Sequence, residues 1–499
     1  MKGDCRLTSW VDCPDNRIIL SMKRIFPATN PLIANRFVIG VVLALMLMTG
    51  AYVFPSASAQ RAVPSGPQTW HVSVGGQSPD GAVQGEAYYP HVITVDVGDT
   101  VVWTLRSGEP HTVTFFGTGP LPEECAAASD FAPCPAPPPS PYDGTSFVGS
   151  GIMIPPGFNW DDNFPLPHGN VTFSLTFGNP GAFVYLSVVQ AGMQGVVIVH
   201  PTGTPYPFTQ HEYSVQARQQ LHADLTAARQ ALASVREPPA ARGPDHTVTH
   251  YVAAGIAAPE RTTVALTATE GSTVTGTASL GVSVSSVSST MAVKVSLSGL
   301  TPGQAYSAGI DYGVCGATAL TSPFLLAPFA LNGITAGPDG TGQSATEITT
   351  PISGNGIQNV RIPSAGWFVT IGRAAGETAV SPVACGNVVF HNAEVARFVP
   401  DIVRVHVGDT VVWSPPVISV PFIIFPAGQP VPPFPDFVFA SPTGNGTDYD
   451  GSTFLNSGGV FQEQTFVLPF TAAGSFQYVN PPQMGMIGSV IVRANHTDD

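Results

Sequence analysis

The sequence predicts an all-β protein with several domains, and two observations lead to that prediction. Glycine and proline contribute 52 and 49 of the 499 residues, and the apolar runs between them indicate short strands joined by turns rather than disorder. Three blocks of sequence also recur in the same order in two parts of the chain, which identifies an internal repeat. At about 100–200 residues per domain, this length allows three domains.

The first repeated block predicts two strands joined by a tight turn. Residues 89–103 read Tyr-Pro-His-Val-Ile-Thr-Val-Asp-Val-Gly-Asp-Thr-Val-Val-Trp, and residues 399–413 read Val-Pro-Asp-Ile-Val-Arg-Val-His-Val-Gly-Asp-Thr-Val-Val-Trp. Each copy alternates apolar and polar residues, which places one face of a strand in a core. The Gly-Asp pair then makes a turn before a second apolar run. The second block, Tyr-Asp-Gly followed by two hydroxyl residues and Phe, occupies 142–147 and 449–454.

The third block resembles the copper loop of the cupredoxins, the plastocyanin-like proteins. Residues 185–195 read Tyr-Leu-Ser-Val-Val-Gln-Ala-Gly-Met-Gln-Gly, and residues 478–488 read Tyr-Val-Asn-Pro-Pro-Gln-Met-Gly-Met-Ile-Gly. The family pattern is Tyr-x-Cys-x-x-His-x-x-Met-x-Gly, so both copies keep its frame. The resemblance implies two cupredoxin-like Greek-key β-sandwiches.

In the first copy, two of the four residues that would bind copper are replaced. A type 1 copper site needs two imidazoles, a thiolate and a weak axial thioether. His111 matches the upstream imidazole of the family and Met193 matches the axial thioether, but Ser187 and Gln190 stand at the Cys and His positions. A packed or surface histidine is the simpler interpretation of His111. A residual pair of His111 and Met193, helped by His91, would bind Cu(I) only weakly.

The second copy departs further from the family pattern. Asn480 and Gln483 stand at its Cys and His positions, and residues 419–422, Ser-Val-Pro-Phe, contain no upstream histidine. Only Met486 remains. We therefore expect no metal at either loop and no cofactor, and we interpret both methionines as core or rim residues. Copper enters only as the alternative that family resemblance alone would suggest.

Residues 258–389 resemble a CHRD domain, a relative of the copper-zinc superoxide dismutase sandwich. They are rich in Ser, Thr and Gly, and residues 308–316 read Ala-Gly-Ile-Asp-Tyr-Gly-Val-Cys-Gly. The family often carries Ala-His-Ile-His ahead of that cysteine. Here Gly309 and Asp311 stand at the histidine positions, and Gly372 replaces a later histidine, so this resemblance implies no metal site either.

The predicted domains follow from these blocks. Residues 66–202 form the first cupredoxin-like domain, and 203–244 form a helical linker. Residues 249–255 resemble the strand that opens the first domain. We therefore expect 246–256 to pair with the sheet of 393–495, so that 245–257 and 390–495 make a discontinuous second domain. Residues 258–389 are then the inserted CHRD-like sandwich.

One helix is predicted, over 209–237. Thr209 and Glu212 have capping-box spacing, an apolar stripe follows at helical intervals, and two prolines at 238–239 end it. The stripe either docks a partner or packs on its own domain, and we favour packing.

The amino-terminal residues predict export. Residues 37–54 are an apolar run preceded by Lys23, Arg24 and Arg36, and Ala-Ser-Ala at 57–59 is typical of a cleavage site. We interpret 1–59 as an export signal, with Met22 as an alternative start. The competing interpretation is an uncleaved membrane anchor at 37–54. Either places the protein in the cell envelope or outside the cell.

Four cysteines follow that segment, and an even number in an exported chain indicates disulfides. We expect Cys125 to pair with Cys134 inside a proline-rich insertion at 117–165, and Cys315 to pair with Cys385 across the middle domain.

Several function classes are disfavoured. The net charge is −14 and Lys294 is the only lysine after residue 23, so no basic face for nucleic acid exists. The sequence has neither Gly-x-Ser-x-Gly nor the His-x-His pairs of a trinuclear copper cluster, and no enzyme activity is expected. The favoured function is a non-catalytic exported scaffold for an envelope or extracellular protein or polymer. The alternative is a type 1 copper electron-transfer protein.

Overall fold

The computed structural model describes residues 66–119, 141–160, 168–235, 239–243, 247–257, 259–285, 287–319, 329–351, 360–373, 382–415, 420–434, 436–461, 464–483 and 485–495. Residues Ala62–Asp499 form one compact unit. The predicted export signal, the apolar run at 37–54 and the Cys125–Cys134 pair lie outside the described residues.

The elements described in the first cupredoxin-like unit are strands. They are β1 (Thr69–Gln77), β2 (Val83–Tyr89), β3 (Val92–Asp96), β4 (Thr100–Leu105), β5 (Thr114–Phe115), β6 (Val148–Gly149), β7 (Ile152–Met153), β8 (His168–Asn170), β9 (Thr172–Thr176), β10 (Gly181–Leu186) and β11 (Gln194–His200).

A long helix and two strands connect this unit to the middle segment. They are α1 (Gln210–Ser234), β12 (Ala241–Arg242) and β13 (Val248–Ala257). The strands of the middle segment are β14 (Arg261–Ala268), β15 (Thr275–Val284), β16 (Ser288–Ser298), β17 (Ala305–Val314), β18 (Ala317–Thr318), β19 (Phe329–Thr335), β20 (Gly342–Pro351), β21 (Trp367–Arg373) and β22 (Ala384–Val388).

The second cupredoxin-like unit completes the chain. Its elements are β23 (Ala393–Val399), β24 (Ile402–His406), β25 (Thr410–Ser414), β26 (Phe422–Phe425), the one-turn helix α2 (Asp436–Phe439), β27 (Leu455–Gly459), β28 (Phe466–Pro469), β29 (Gly474–Val479) and β30 (Ile487–Arg493).

The two units share one continuous sheet. Its strand order is β28-β25-β13-β23-β2-β1-β4-β9, so the sequence of strands in one half mirrors that in the other about the β23–β2 pair. Each unit then closes with its own second sheet, β3-β11-β10-β5-β6 in the first and β24-β30-β29-β26-β27 in the second. The fold is all-β, with cupredoxin-like sandwiches.

Strand β13 lies in the second unit, which confirms the pairing predicted for 246–256. It runs antiparallel to β23 and parallel to β25, and Thr249 faces Thr410 as Thr69 of β1 faces Thr100 of β4. Both β1 and β13 carry a bulge, and the glycine in each, Gly75 or Gly255, has a positive φ of 61° or 75°. The matching register explains why these two short segments resemble each other in sequence.

The middle segment between β13 and β23 forms its own nine-stranded sheet. The order is β18-β17-β21-β22-β14-β15-β16-β20, with β19 paired to β17. Alternating residues of β16 are buried, as the strand pattern predicts, in a core that also includes Ala182 and Val196 of the first unit. The predicted Cys315–Cys385 disulfide is confirmed, with 5.7 Å between its Cα atoms.

The repeated sequence blocks are explained by packing inside each unit. Tyr185 faces Gly195 across β10 and β11, and Tyr478 faces Gly488 across β29 and β30. A Cβ atom at Gly488 would lie 2.3 Å from the Tyr478 ring, and one at Gly195 would lie 2.5 Å from the Tyr185 ring. The glycine that ends the copper-loop frame is therefore required by the tyrosine that begins it.

Helix α1 covers the outer face of the sheet where the two units meet. Its predicted capping box is confirmed, because Thr209 accepts from the Glu212 amide and Glu212 accepts from the Thr209 amide. Leu225, Ala228 and Ala231 pack with residues of β2, β13 and β23. The stripe is therefore used for packing, and on both units rather than one. Among the described residues, neither helix combines the length and apolarity needed to cross a bilayer.

We predict that Gly488→Ala destabilises the fold by about 1–3 kcal/mol, because the added methyl group would overpack the Tyr478 ring. Urea unfolding measures the loss. Gly281→Ala is the matched control at a half-buried glycine of β15, since the nearest neighbour of its added Cβ atom would lie 3.6 Å away. Equal losses in the two variants would contradict this account.

We predict that removing the Cys315–Cys385 bond costs about 4 kcal/mol in the chain-entropy model, because it closes a loop with a sequence separation of 70. The double substitution to serine, compared with the parent in non-reducing denaturant titrations, measures that difference. If dithiothreitol lowers the free energy of unfolding of the double variant as much as that of the parent, this bond is not the source of the lost stability.

Candidate functional site

The first loop keeps the main-chain geometry that its sequence frame predicts. The Thr112 amide donates to Ser187 Oγ at 3.2 Å, the Ser187 amide donates to the Met193 carbonyl at 3.1 Å, and the Met193 amide donates to the Gln190 carbonyl at 3.3 Å. Met193 is fully buried in the core of the unit. The structure thus brings Ser187, Gln190 and Met193 together beside the strand that carries residue 111.

The imidazole of His111 is turned toward an acidic side chain. His111 is fully buried, and its main chain exchanges hydrogen bonds with Met153. Its Nε2 lies 3.8 Å from Glu86 Oε2, and neither ring nitrogen has a hydrogen-bond partner. Burial lowers the pKa of His111 to about 3, so the ring is neutral. His111 is thus a buried, neutral residue with both ring nitrogens unpaired.

The second loop has the same main-chain geometry as the first. The Phe422 amide donates to Asn480 Oδ1 at 3.0 Å, as the Thr112 amide does to Ser187. The Asn480 amide donates to the Met486 carbonyl at 3.0 Å. Because Phe422 corresponds to Thr112, Pro421 stands where the first unit has His111.

The side chains of the second loop close it by bonding to one another. Asn480 Nδ2 donates to Met486 Sδ at 3.2 Å and also to Gln483 Oε1. Gln483 Nε2 in turn donates to Glu394. The two glutamines stand at the same motif position but do not share one arrangement. Gln483 uses side-chain partners, whereas Gln190 is half-buried and makes no side-chain hydrogen bond to the described residues.

Neither loop offers the chemistry of a type 1 site in the described residues. A hydroxyl at 187 and amides at 190, 480 and 483 are poor ligands for soft copper, and no thiolate is present at either loop. The thioethers of Met193 and Met486 are both buried. What the loops retain is the scaffold of main-chain hydrogen bonds.

A group of three buried glutamates lies where the two units meet. Glu86 belongs to β2, Glu394 belongs to β23, and Glu109 lies in the turn after β4. One carboxylate oxygen from each lies within 4.8 Å of the others, and all three side chains are buried. Burial raises the pKa of each carboxyl, and repulsion from neighbouring carboxylates raises the pKa of Glu86 and of Glu109 further.

Sequence reasoning missed these glutamates. The signal that was available is Glu86 itself, a charged residue inside the strand Val-Gln-Gly-Glu-Ala-Tyr-Tyr, whose side chains are all buried. A buried charge of this kind needs a partner. The partners come from residues 109 and 394, whose proximity depends on the pairing of β2 with β23.

A second feature is a cleft of about 350 Å³ between α1 and the middle sheet. Its walls carry several neutral amides and two imidazoles, and the polar lining residues are His91, Gln216, Gln219, Gln220, Asn387 and His391. His391 Nδ1 lies 2.8 Å from Asp224 Oδ1, a fully buried carboxylate that also accepts from the Tyr89 hydroxyl at 2.6 Å. The hydrogen bond with Asp224 raises the pKa of His391.

The likenesses found among known proteins are to solved structures that match only part of this chain. The chain matches no family model and no curated relative. A solved structure of an oxidised amicyanin mutant with lysine in place of methionine is 27% identical, covering 19% of this chain and 70% of its own, with a TM-score of 0.14. The Cu(I) form of a methionine-to-alanine mutant of amicyanin is 20% identical, covering 28% and 87%, with a TM-score of 0.16. Likenesses at such TM-scores support no argument about activity.

We predict that His391 stabilises the fold at low pH and loses that effect as the pH rises. Its pKa in the folded protein is raised above the ordinary histidine value of about 6.5, so the stabilisation is present in full below about pH 6.5 and is lost as the pH rises through the folded pKa. The other imidazole beside Asp224, His91, has a pKa lowered to about 4 and stays neutral over this range. Because the His391 side chain is 53% exposed, the effect stays below about 1 kcal/mol.

The measurement is urea unfolding of the parent and of His391→Gln at pH 5.5 and pH 9. The difference between the two proteins should be larger at pH 5.5. If the stability difference between the parent and His391→Gln is larger at pH 9 than at pH 5.5, His391 does not stabilise the fold in its protonated form.

Proposed function

We propose that this protein is a non-catalytic, exported scaffold in which two cupredoxin-like sandwiches form a rigid frame for binding a partner in the cell envelope or outside the cell. The observation that supports this most is the second loop. There Asn480, Gln483 and Met486 bond among themselves and to Glu394 in place of a metal.

The closed loop makes copper entry unfavourable. An incoming ion would have to break hydrogen bonds among buried groups and would gain only one thioether, since Pro421 and the two amides provide no imidazole or thiolate. The first loop offers one imidazole and one thioether at its motif positions, which is two ligands short of a type 1 site. Electron transfer is therefore the less supported function.

The cleft between α1 and the middle sheet is the surface that we assign to the partner. Its lining combines apolar side chains such as Trp367 and Val388 with several amides that both donate and accept hydrogen bonds, which would suit a neutral polymer or an extended peptide. Export is proposed from the apolar run at 37–54 and the Ala-Ser-Ala sequence that follows it.

We predict that the parent protein shows no blue thiolate–copper absorption and that Ser187→Cys combined with Gln190→His gains it. The double variant would provide a thiolate and a second imidazole beside His111 and Met193 on a main chain that already has the loop geometry. Copper titration followed by visible absorption is the measurement.

The second unit supplies the matched control. Asn480→Cys combined with Gln483→His repeats the change on an equivalent main chain, but Pro421 leaves that site one imidazole short. Its band should be absent or much weaker. An intense thiolate–copper band in the parent would overturn the scaffold proposal and favour electron transfer.

A further inference from the structure

The three buried glutamates at the junction lack the partners that buried carboxylates need. Among the described residues, the one group placed to hydrogen-bond Glu86 is the neighbouring carboxyl of Glu109, and Glu109 Oε1 has no donor. The amide donor in this group serves Glu394, from Gln483. Removing ionised carboxylates from water without pairing them is strongly unfavourable, so this group requires protons or a cation.

No basic side chain provides that charge within the described part of the chain. The arginine ion pairs found there join Arg361 to Glu260 and Arg397 to Asp80. The second pair spans β23 and the turn before β2, but both of its side chains are more than half exposed and it does not pair with the buried glutamates. The nearby imidazole of His111 is kept neutral by burial, so it does not act as a counter-ion. What His111 offers instead is a nitrogen lone pair.

His111 is an observation independent of the acidic group. Its ring is fully buried, both nitrogens lack hydrogen-bond partners, and Nε2 faces Glu86 Oε2 at 3.8 Å. The ring packs against the bulge of β1, where a Cβ atom on Gly75 would come within 3.0 Å of Nε2. A buried imidazole with an unused nitrogen beside carboxylates is the usual environment of a metal ligand.

We propose that Glu86, Glu109, Glu394 and His111 form a binding site for one divalent metal cation of the Mn²⁺ or Zn²⁺ class. Three carboxylates favour a hard ion, and the imidazole extends the range to zinc, whereas the absence of a thiolate disfavours Cu(I). Metal–oxygen bonds of about 2.0–2.2 Å place ligand oxygens at most about 4.4 Å apart. The three carboxylate oxygens, now within 4.8 Å of one another, are close to that spacing, and His111 would join them from the side of Glu86, whose Oε2 lies 3.8 Å from its Nε2.

Such a site would tie the two units together. Glu86, Glu109 and His111 come from the first unit, and Glu394 comes from the second, directly opposite Gln84 in the β2–β23 pair. A bound cation would add a link across the strand pair that joins the units. Binding to the folded state alone then raises stability in proportion to the logarithm of metal concentration.

The test uses the full chain, stripped with EDTA and dialysed at pH 7.5. MnCl₂ and ZnCl₂ are titrated separately by calorimetry, and thermal unfolding is recorded with and without each metal. We expect saturable binding of a single ion and a rise in Tm of several degrees. Glu394→Gln and Glu86→Gln, which keep shape but remove charge, should weaken binding by at least about tenfold and abolish the metal-dependent Tm shift.

The control is Glu260→Gln, a buried glutamate outside the junction that pairs with Arg361. It should keep the parent's metal affinity whatever its own Tm. If the junction variants fail to fold, manganese electron paramagnetic resonance on the parent decides, since His111 should give a nitrogen coupling that His111→Ala removes. Lack of saturable binding in the parent, or unchanged affinity in the junction variants, would overturn the proposal and leave protons as the neutralising charge.

Metal binding at the glutamates can be distinguished from copper binding in the rebuilt first loop. Cu²⁺ bound at the glutamates would respond to Glu394→Gln and would show no blue band, because the described junction contains no cysteine. Copper in the rebuilt first loop would respond to residues 187 and 190 instead.

Discussion

The pairing of β2 with β23 is the interaction on which the arrangement of the molecule depends. Gln84 lies opposite Glu394, and Val83 and Gly85 lie opposite Val395 and Ala393. This short antiparallel contact joins a four-stranded and a five-stranded sheet, the latter including β12 beside β13, into one sheet and removes two exposed edges that would otherwise invite association. Helix α1 then has a continuous surface to cover, and its apolar stripe is long enough to bridge both units.

The same contact explains how the middle segment is accommodated. Strand β13 must sit between β23 and β25 to complete the second half of the sheet, so the chain enters the second unit, leaves it at Ala257 and returns at Ala393. The ends of the excursion are close because β13 and β23 are hydrogen-bonded neighbours. An insertion between neighbouring strands costs the host fold little, which is why the second unit keeps the register of the first.

Retention of the copper-loop frame without copper has a packing explanation. Tyr478 and Gly488 are required by each other, and the Asp409 carboxylate accepts amides from β13 and from His406 in the turn. These residues hold strands together whether or not a metal is present. A frame of this kind therefore predicts the fold well and the metal poorly, and only the residues at the ligand positions report on the chemistry.

Local sequence patterns predict the strands, the capped helix, the discontinuous second unit and one disulfide. Each of these predictions rests on residues near in sequence, or on two copies of a repeat that can be aligned with each other. The glutamate group follows from neither. When the two copies of the repeat are aligned, Glu394 falls at the position of Gln84, and Glu86 falls at the position of Ala396. Neither glutamate has an acidic counterpart in the other copy, so the repeat does not indicate a shared acidic site. Only the antiparallel crossing of β2 and β23 brings Glu86 and Glu394 to one place.

The two units differ most at the position of the upstream histidine of a type 1 site. Pro421 removes any side-chain ligand from the second unit, and Asn480 fills the space that remains. In the first unit the imidazole survives, but its Nε2 faces Glu86 rather than being held by a hydrogen bond in its own loop. Its neighbours there are oxygen ligands, and oxygen ligands select a harder cation than the thiolate and thioether of a blue-copper site. A histidine that the sequence frame assigns to copper is thus positioned, in three dimensions, to serve a different class of metal.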